Sequence, residues 1–286
     1  MHKIVLVILN YNDTSTTVTA CKRALNINGI SDIVVVDNFS KEFEELHSFC
    51  QINGINFIRT SKNGGYSYGN NIGVKYAIDY LDAEYIIIAN PDVEFDSIFL
   101  QKCLQVFQIY SDAGVVSGMI KDPTGLSSPA SKIPNYLQLL ISNIPLINKS
   151  FISVEYNPKK FNNIVCKVGQ VRGSLFIISK QAFNEISGFD TNTFLYYEES
   201  ILGSRLLSKK YSEYLRTDCS YVHYHSTTIA KVYENAVDRM KLMYKSQMYY
   251  AKHYLKVGVL KQWLLKVSQH ASIGMLKVYW LFREAK

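Results

Sequence analysis

The feature that most restricts this chain is an alternation, through its first 120 residues, between short β-rich apolar runs and longer helix-patterned stretches. The runs at 4–9, 33–36, 55–58, 85–89 and 115–119 are rich in valine and isoleucine and lack polar–apolar alternation. That is the pattern of strands covered on both faces. Helix-like segments lie between them at 14–25, 43–51, 68–80 and 97–110. In the last, Phe99, Leu100, Cys103, Leu104 and Phe107 recur at helical spacing, and Asp96 stands where a cap belongs. Such alternation reads as βαβ units, and so as an α/β fold: a Rossmann-like, mostly parallel sheet flanked by helices.

From 121 to about 163 the pattern weakens, punctuated by Pro123, Pro129, Pro134, Pro145 and Pro158, which implies loops and short elements over the sheet edge. Strands are expected at 168–171, 175–179 and 221–224, and helices at 180–186 and 198–209. Beyond Ile229 the chain reads as helices only. The expected division is therefore an α/β domain over 1–228 and a helical extension over 229–286, within reach of 286 residues that are 48% hydrophobic. The five cysteines are scattered without metal or disulfide spacing, as free thiols in a reducing compartment are. No secretory h-region and no run of roughly 18 apolar residues is visible, so the expected location is cytoplasmic.

Ligands of open α/β sheets bind beyond the carboxyl ends of the strands. Polar clusters stand there in this chain: Asn10-Tyr11-Asn12-Asp13, Asp37-Asn38-Phe39-Ser40, Ser61-Lys62-Asn63-Gly64-Gly65 and Asn90-Pro91-Asp92. Asp37, after three valines, either meets a base or ribose or closes an Asx-turn. Four glycines between Asn63 and Gly73, at a loop-to-helix transition, let backbone approach an anionic ligand. Asp92 after a buried strand suits a hard divalent cation, Mg²⁺ or Mn²⁺, bridging to a diphosphate; the rival is a proline turn with a helix cap. Glu198-Glu199, after Phe194-Leu195-Tyr196-Tyr197, opens a helix, either as a general base beside aromatic walls or as acids complementing the helix dipole. His223 and His225 share a strand face, as a metal ligand or as structural residues.

Taken in order over roughly 3–228, these motifs, with Arg172-Gly173-Ser174 and Gly188-Phe189-Asp190, resemble family 2 glycosyltransferases of the GT-A fold, especially the bacterial rhamnosyltransferase-like branch. The resemblance implies nucleotide-sugar contacts by Asn10, Tyr11, Asn12, Asp37, Asn38, Asn63, Gly64, Gly69, Asn70, Asn90, Arg172 and Gly173. It implies a divalent metal at Asp92 with His223, and catalysis by Glu199, with Glu198, as base for an inverting displacement. Three positions depart from the family pattern: Glu199 replaces the usual Asp, Ile201 stands where a later Asp is usual, and Lys41 follows Ser40.

The implied reaction adds one sugar, from dTDP-L-rhamnose or from UDP-galactose, UDP-glucose or UDP-N-acetylglucosamine, to a lipid-linked or oligosaccharide acceptor of a surface polysaccharide. A nucleotidyltransferase would need a glycine- and lysine-rich N-terminal loop that the chain lacks. A degenerate glycan- or membrane-binding module is the non-enzyme rival. Charge bears on partners: 231–286 holds 11 Lys/Arg and 3 Asp/Glu, so the tail carries the whole net charge of +7. Leu260, Leu264, Val267, Ala271, Met275, Val278 and Phe282 recur at helical steps among lysines. That helix either lies on the inner face of an anionic membrane or packs on the catalytic domain or a homodimer mate. No nucleic-acid-binding signature accompanies the charge.

Overall fold

The computed structural model describes residues 2–121, 128–144, 153–224 and 235–284. The apolar runs become the middle of one sheet. Strand β1 (Ile4–Asn10), helix α1 (Thr14–Ala24), β2 (Asp32–Asp37), α2 (Glu44–Ile52), β3 (Asn56–Arg59), α3 (Tyr66–Leu81) and β4 (Tyr85–Ala89) follow in strict alternation. Then come β5 (Val93–Glu94), α4 (Ser97–Ile109), β6 (Ala113–Lys121), β7 (Ala130–Ser131) and α5 (Tyr136–Ser142). The rest comprises β8 (Val165–Val168), β9 (Gln170–Val171), β10 (Leu175–Ser179), α6 (Lys180–Glu185), α7 (Glu198–Ser208) and β11 (Ser212–His223), and the tail α8 (Ala236–His253) and α9 (Val259–Glu284). Asp96 caps α4 as expected, its carboxylate accepting from the Phe99 amide at 2.7 Å.

The sheet runs β3-β2-β1-β4-β10-β6-β11-β5, with β8 added on β11. The parallel arrangement expected of βαβ units holds across β3, β2, β1 and β4. Beyond β4 the sheet is mixed: β10 runs antiparallel to β4 and β6, while β6 and β11 are parallel. One apolar cluster fills each face, the first under α1, α2 and α4, the second under α3, α6 and α7. Both faces of β1, β2 and β4 are therefore buried, which is why those strands are uninterrupted valine and isoleucine.

Two boundaries differ from the sequence reading. The run at 168–171 is two strands in two sheets, divided at Gly169, where a β-carbon would lie 2.6 Å from the Ile133 amide nitrogen. The strand expected at 221–224 is the end of the 12-residue β11, whose earlier part was hidden by Glu213, Arg216 and Asp218. In α3, a β-carbon at Gly73 would sit 2.5 Å from Val7 Cγ1 and 2.8 Å from Val36 Cγ2. Glycine there lets the helix lie directly on β1 and β2, and its amino end reaches the site.

Candidate active site

A cavity of about 570 Å³ opens where α3, α7, β9 and β11 converge, and its walls include Tyr66, Asn90, Arg172, Gly173, Glu198, Glu199, Glu213 and His223. Its organising element is the short segment 171–174. The Gly173 amide donates to Glu199 Oε1 at 2.6 Å, and the Arg172 guanidinium lies 3.9 Å from Glu199 Oε2. Arg172 is itself fixed, donating to the Ser128 carbonyl at 2.9 Å and to Glu155 at 2.6 Å. The Tyr66 hydroxyl donates to the Gly173 carbonyl at 2.6 Å, and the Asn90 amide to the Ser174 carbonyl at 2.8 Å. The end of β4 and the start of α3 are thus both pinned to the segment that holds Glu199.

Glu198 behaves differently from its neighbour. Burial pushes its carboxyl up to about 7, the charge of Glu199 adding to the rise, and its Oε1 has no hydrogen-bond partner. The two acids leave α7 in different directions, yet both reach the cavity. The turn before them is strained: Tyr196 and Tyr197 have φ of 71° and 68°, the left-handed region. Two consecutive side-chain-bearing residues there cost about 1–2 kcal/mol each. Helix α8 holds the turn in place. Gln247 donates to the Tyr197 hydroxyl at 2.9 Å, Ser246 donates to the Leu195 carbonyl at 2.7 Å, and Tyr250 stacks on Tyr197. On the other side the Tyr66 amide donates to the Phe194 carbonyl, and Gly65 leaves no β-carbon to strike it.

Glu213 was missed by the sequence reading because it looks like a polar residue in a poor strand. It is wholly buried on β11 at the cavity wall, its Oε2 accepting from the Val171 amide at 2.7 Å while Oε1 has no partner. Burial, with the Glu199 charge behind it, pushes this carboxyl up to about 8 from an ordinary 4.5. Ionisation then opposes folding: the stabilisation is complete below the unfolded carboxyl range and is lost as pH rises from about 4.5 towards about 8. Glu213→Gln keeps the acceptor but cannot ionise. Its thermal midpoint is expected to gain on that of the native chain across this window. A pH-independent difference between the two would show that Glu213 is not a buried neutral acid.

His223, which lines the same cavity, has its Nε2 3.4 Å from Asp92 Oδ2. Strand β5 explains the meeting, since Val93 pairs with His223 on β11. His223 thus meets the carboxylate of the residue just before β5. Its companion His225 lies outside the described residues. A carboxylate oxygen and an imidazole nitrogen are donors that would suit a divalent cation. No cluster of three or more His, Cys, Asp or Glu ligands occurs among the described residues.

The residues expected to touch the nucleotide divide into two groups. Asn90, Arg172 and Gly173 line the cavity. The others build the rim of β1 and β2. Asn10 and Asp37 are fully buried: Asn10 donates to Asp37 at 2.8 Å, the Ser40 amide donates to Asp37 at 3.0 Å, and Thr17 donates to Asn10 at 2.8 Å. Asp37 thus ties the loops after β1 and β2 together. Asn12 accepts from the Lys41 amide, and Asn38 donates to Asn63 and to the Gly65 carbonyl. Asn70 is buried, donating to the Tyr66 carbonyl. Gly64 and Gly69 make room for Tyr68 and Leu9, since β-carbons there would fall 2.3 Å from those side chains. Partly buried Tyr11 and half-exposed Phe39 are left as ring surfaces, and the Arg59 guanidinium lies over Phe39 and Phe43, 3.6 Å from the latter centroid. The signal for Phe39 in the sequence was an aromatic in a turn otherwise made of small polar residues.

Residues 5–186 match the family model described as glycosyl transferase family 2. The chain belongs to this family. Among curated proteins it is 29% identical over 194 residues to the low-salt glycan biosynthesis hexosyltransferase Agl10 of Haloferax volcanii, covering 68% of this chain and 58% of that one. It is 26% identical over 126 residues to the N-acetylglucosaminyl-diphospho-decaprenol L-rhamnosyltransferase of Mycobacterium tuberculosis, covering 43% and 41%. The chain thus spans between two-fifths and three-fifths of the length of these relatives. Two solved structures superpose with a TM-score of 0.60: GalNAc-T7 with UDP, GalNAc and Mn²⁺, and mannosyltransferase PcManGT from Pyrobaculum calidifontis with GDP-Man and Mn²⁺. At 14% and 11% identity, covering 79% and 96% of this chain and 44% and 75% of theirs, they establish the GT-A fold.

Proposed function

We propose that this family 2 chain moves one sugar from a nucleotide-diphosphate donor to a hydroxyl of a growing, lipid-linked surface glycan, with inversion at the anomeric carbon. The observation that carries this reading is Glu199 in the cavity wall, oriented by the Gly173 amide and by Arg172, with His223, paired to Asp92, lining the same cavity. A carboxylate so held is oriented to take the proton of an acceptor hydroxyl as it attacks. Asp92 and His223 are suited to hold Mn²⁺ or Mg²⁺, which when bound offsets the charge of the departing diphosphate. Tyr11 and Phe39 offer ring faces to a base.

The rhamnosyl relative makes dTDP-L-rhamnose the first donor to test, and the hexosyltransferase relative keeps UDP-hexoses beside it. All five cysteines are free thiols, which suits the cytoplasmic face of a cell membrane, where nucleotide sugars meet a lipid carrier. No helix among the described residues is long and apolar enough to cross a membrane. The test is the thermal midpoint of the purified chain against UDP-, dTDP- and GDP-sugars, with and without Mn²⁺. A metal-dependent rise with one nucleotide class is expected. No rise with any of them, together with no release of nucleoside diphosphate, would favour a binding module without catalysis.

A further inference from the structure

Helix α9 is patterned inside out. Its inner face, which packs on α8 and α5, is mostly polar: Gln269 and Ser272 are buried, and Leu265 is the only fully buried apolar side chain among its described ones. Gln269 donates to Gln247 at 2.7 Å, and Asn143 bridges Gln247 and Ser268 at 3.0 and 3.1 Å. The outer face is apolar. Val259, Leu260 and Trp263 are 83%, 71% and 58% exposed, and Leu264, Val267 and Met275 are exposed as well. At about 100° per residue, Leu260, Trp263, Leu264, Val267 and Met275 fall within roughly a third of the helix circumference. Trp263 and Val267 also line a shallow groove together with Lys266 and His270.

A soluble helix turns its apolar stripe inward; one that turns it outward has a second apolar medium to meet. Charge says which medium. From Arg239 to Arg283 the chain carries nine Lys and Arg and no Asp or Glu. Lys261 lies on one side of the stripe and Lys266 on the other, both exposed. Two copies meeting through this face would bring like charges together, whereas anionic headgroups neutralise them while the acyl region accepts the stripe.

We propose that the outer face of α9 is a docking surface for an anionic lipid bilayer. It lies behind the catalytic loop. Leu265 packs in one cluster with Ile201, two residues beyond Glu199 on α7, and α8 joins α9 to the strained turn at 195–197. Ile201, the departure from the family's acidic pattern, is thus where the tail docks on the site helix. Docking would set the cavity at a fixed attitude to a membrane. The inference goes beyond the transfer reading, because lipid binding requires neither donor nor acceptor.

The test uses the full chain and flotation with vesicles of phosphatidylcholine alone or mixed with phosphatidylglycerol. Binding to the mixed vesicles only, weakened by salt, is expected. Lys261→Glu with Lys266→Glu should weaken it at least about tenfold, and Leu260→Ser with Trp263→Ala should abolish it. Because these side chains are exposed, the thermal midpoint and any donor-induced shift should stay native in both variants. No binding to mixed vesicles would overturn the proposal. So would a solution dimer that the Leu260→Ser, Trp263→Ala variant dissolves, since the stripe would then be a self-association surface.

Discussion

Replacing Glu199 by glutamine is expected to lower transfer by roughly 10²–10⁴-fold, the usual worth of a positioned general base. The substitution isolates the chemistry. Glutamine keeps an oxygen for the Gly173 amide, and Arg172 keeps Glu155 and the Ser128 carbonyl. The donor-induced thermal shift should therefore survive while single-turnover release of nucleoside diphosphate in the presence of acceptor collapses. Because the Glu198 Oε1 is buried beside it without a hydrogen-bond partner, Glu198→Gln is the companion measurement. If Glu198→Gln were the inactive variant and Glu199→Gln kept native turnover, the base would be the wrong one of the pair.

Asp92→Ala should cost roughly 10²–10³-fold in turnover, the scale on which removing one stabiliser of developing negative charge acts. It should also remove the Mn²⁺-dependent part of the donor shift, because His223 alone is a poor site for a hard cation. The readouts separate two failures. A variant with normal stability and a metal-independent donor shift has lost only the metal. One that keeps both the Mn²⁺ dependence and the rate would place the cation elsewhere and leave the Asp92–His223 contact as a structural pairing of β5 with β11.

At 14% and 11% identity the structural neighbours speak for the shared sheet and its helices, and not for the roles of these residues. The contacts that hold the two acids are local. The 171–174 segment holds Glu199 from the opposite wall, and the tail holds the turn from which Glu198 and Glu199 emerge. A chain cut after residue 228 would lose Gln247, Ser246 and Tyr250 from behind that turn. Point variants on the surface of α9 therefore test membrane docking better than truncation does.

Much of this was legible without coordinates. Valine- and isoleucine-rich runs separated by helical stretches announce a doubly covered sheet, because only buried strands carry no polar alternation. Asn10, Asp37 and Asn90 end those runs, so their place at the carboxyl edge followed from the same pattern, as did Asp96 capping α4. What the pattern could not say was which way a polar side chain turns once there. Asp37 and Asn10 turn inward onto each other, a choice set by the Ser40 and Thr17 groups within reach. The meeting of Asp92 with His223, of Glu213 with Val171, and of Gln247 with Tyr197 joins residues 42 to 131 positions apart in the chain. Local composition determined which strands and helices exist, since propensity and burial periodicity act over a few residues. Only the tertiary structure decided the partners of each carboxylate, because strand order and helix docking bring together groups that no spacing in the sequence relates.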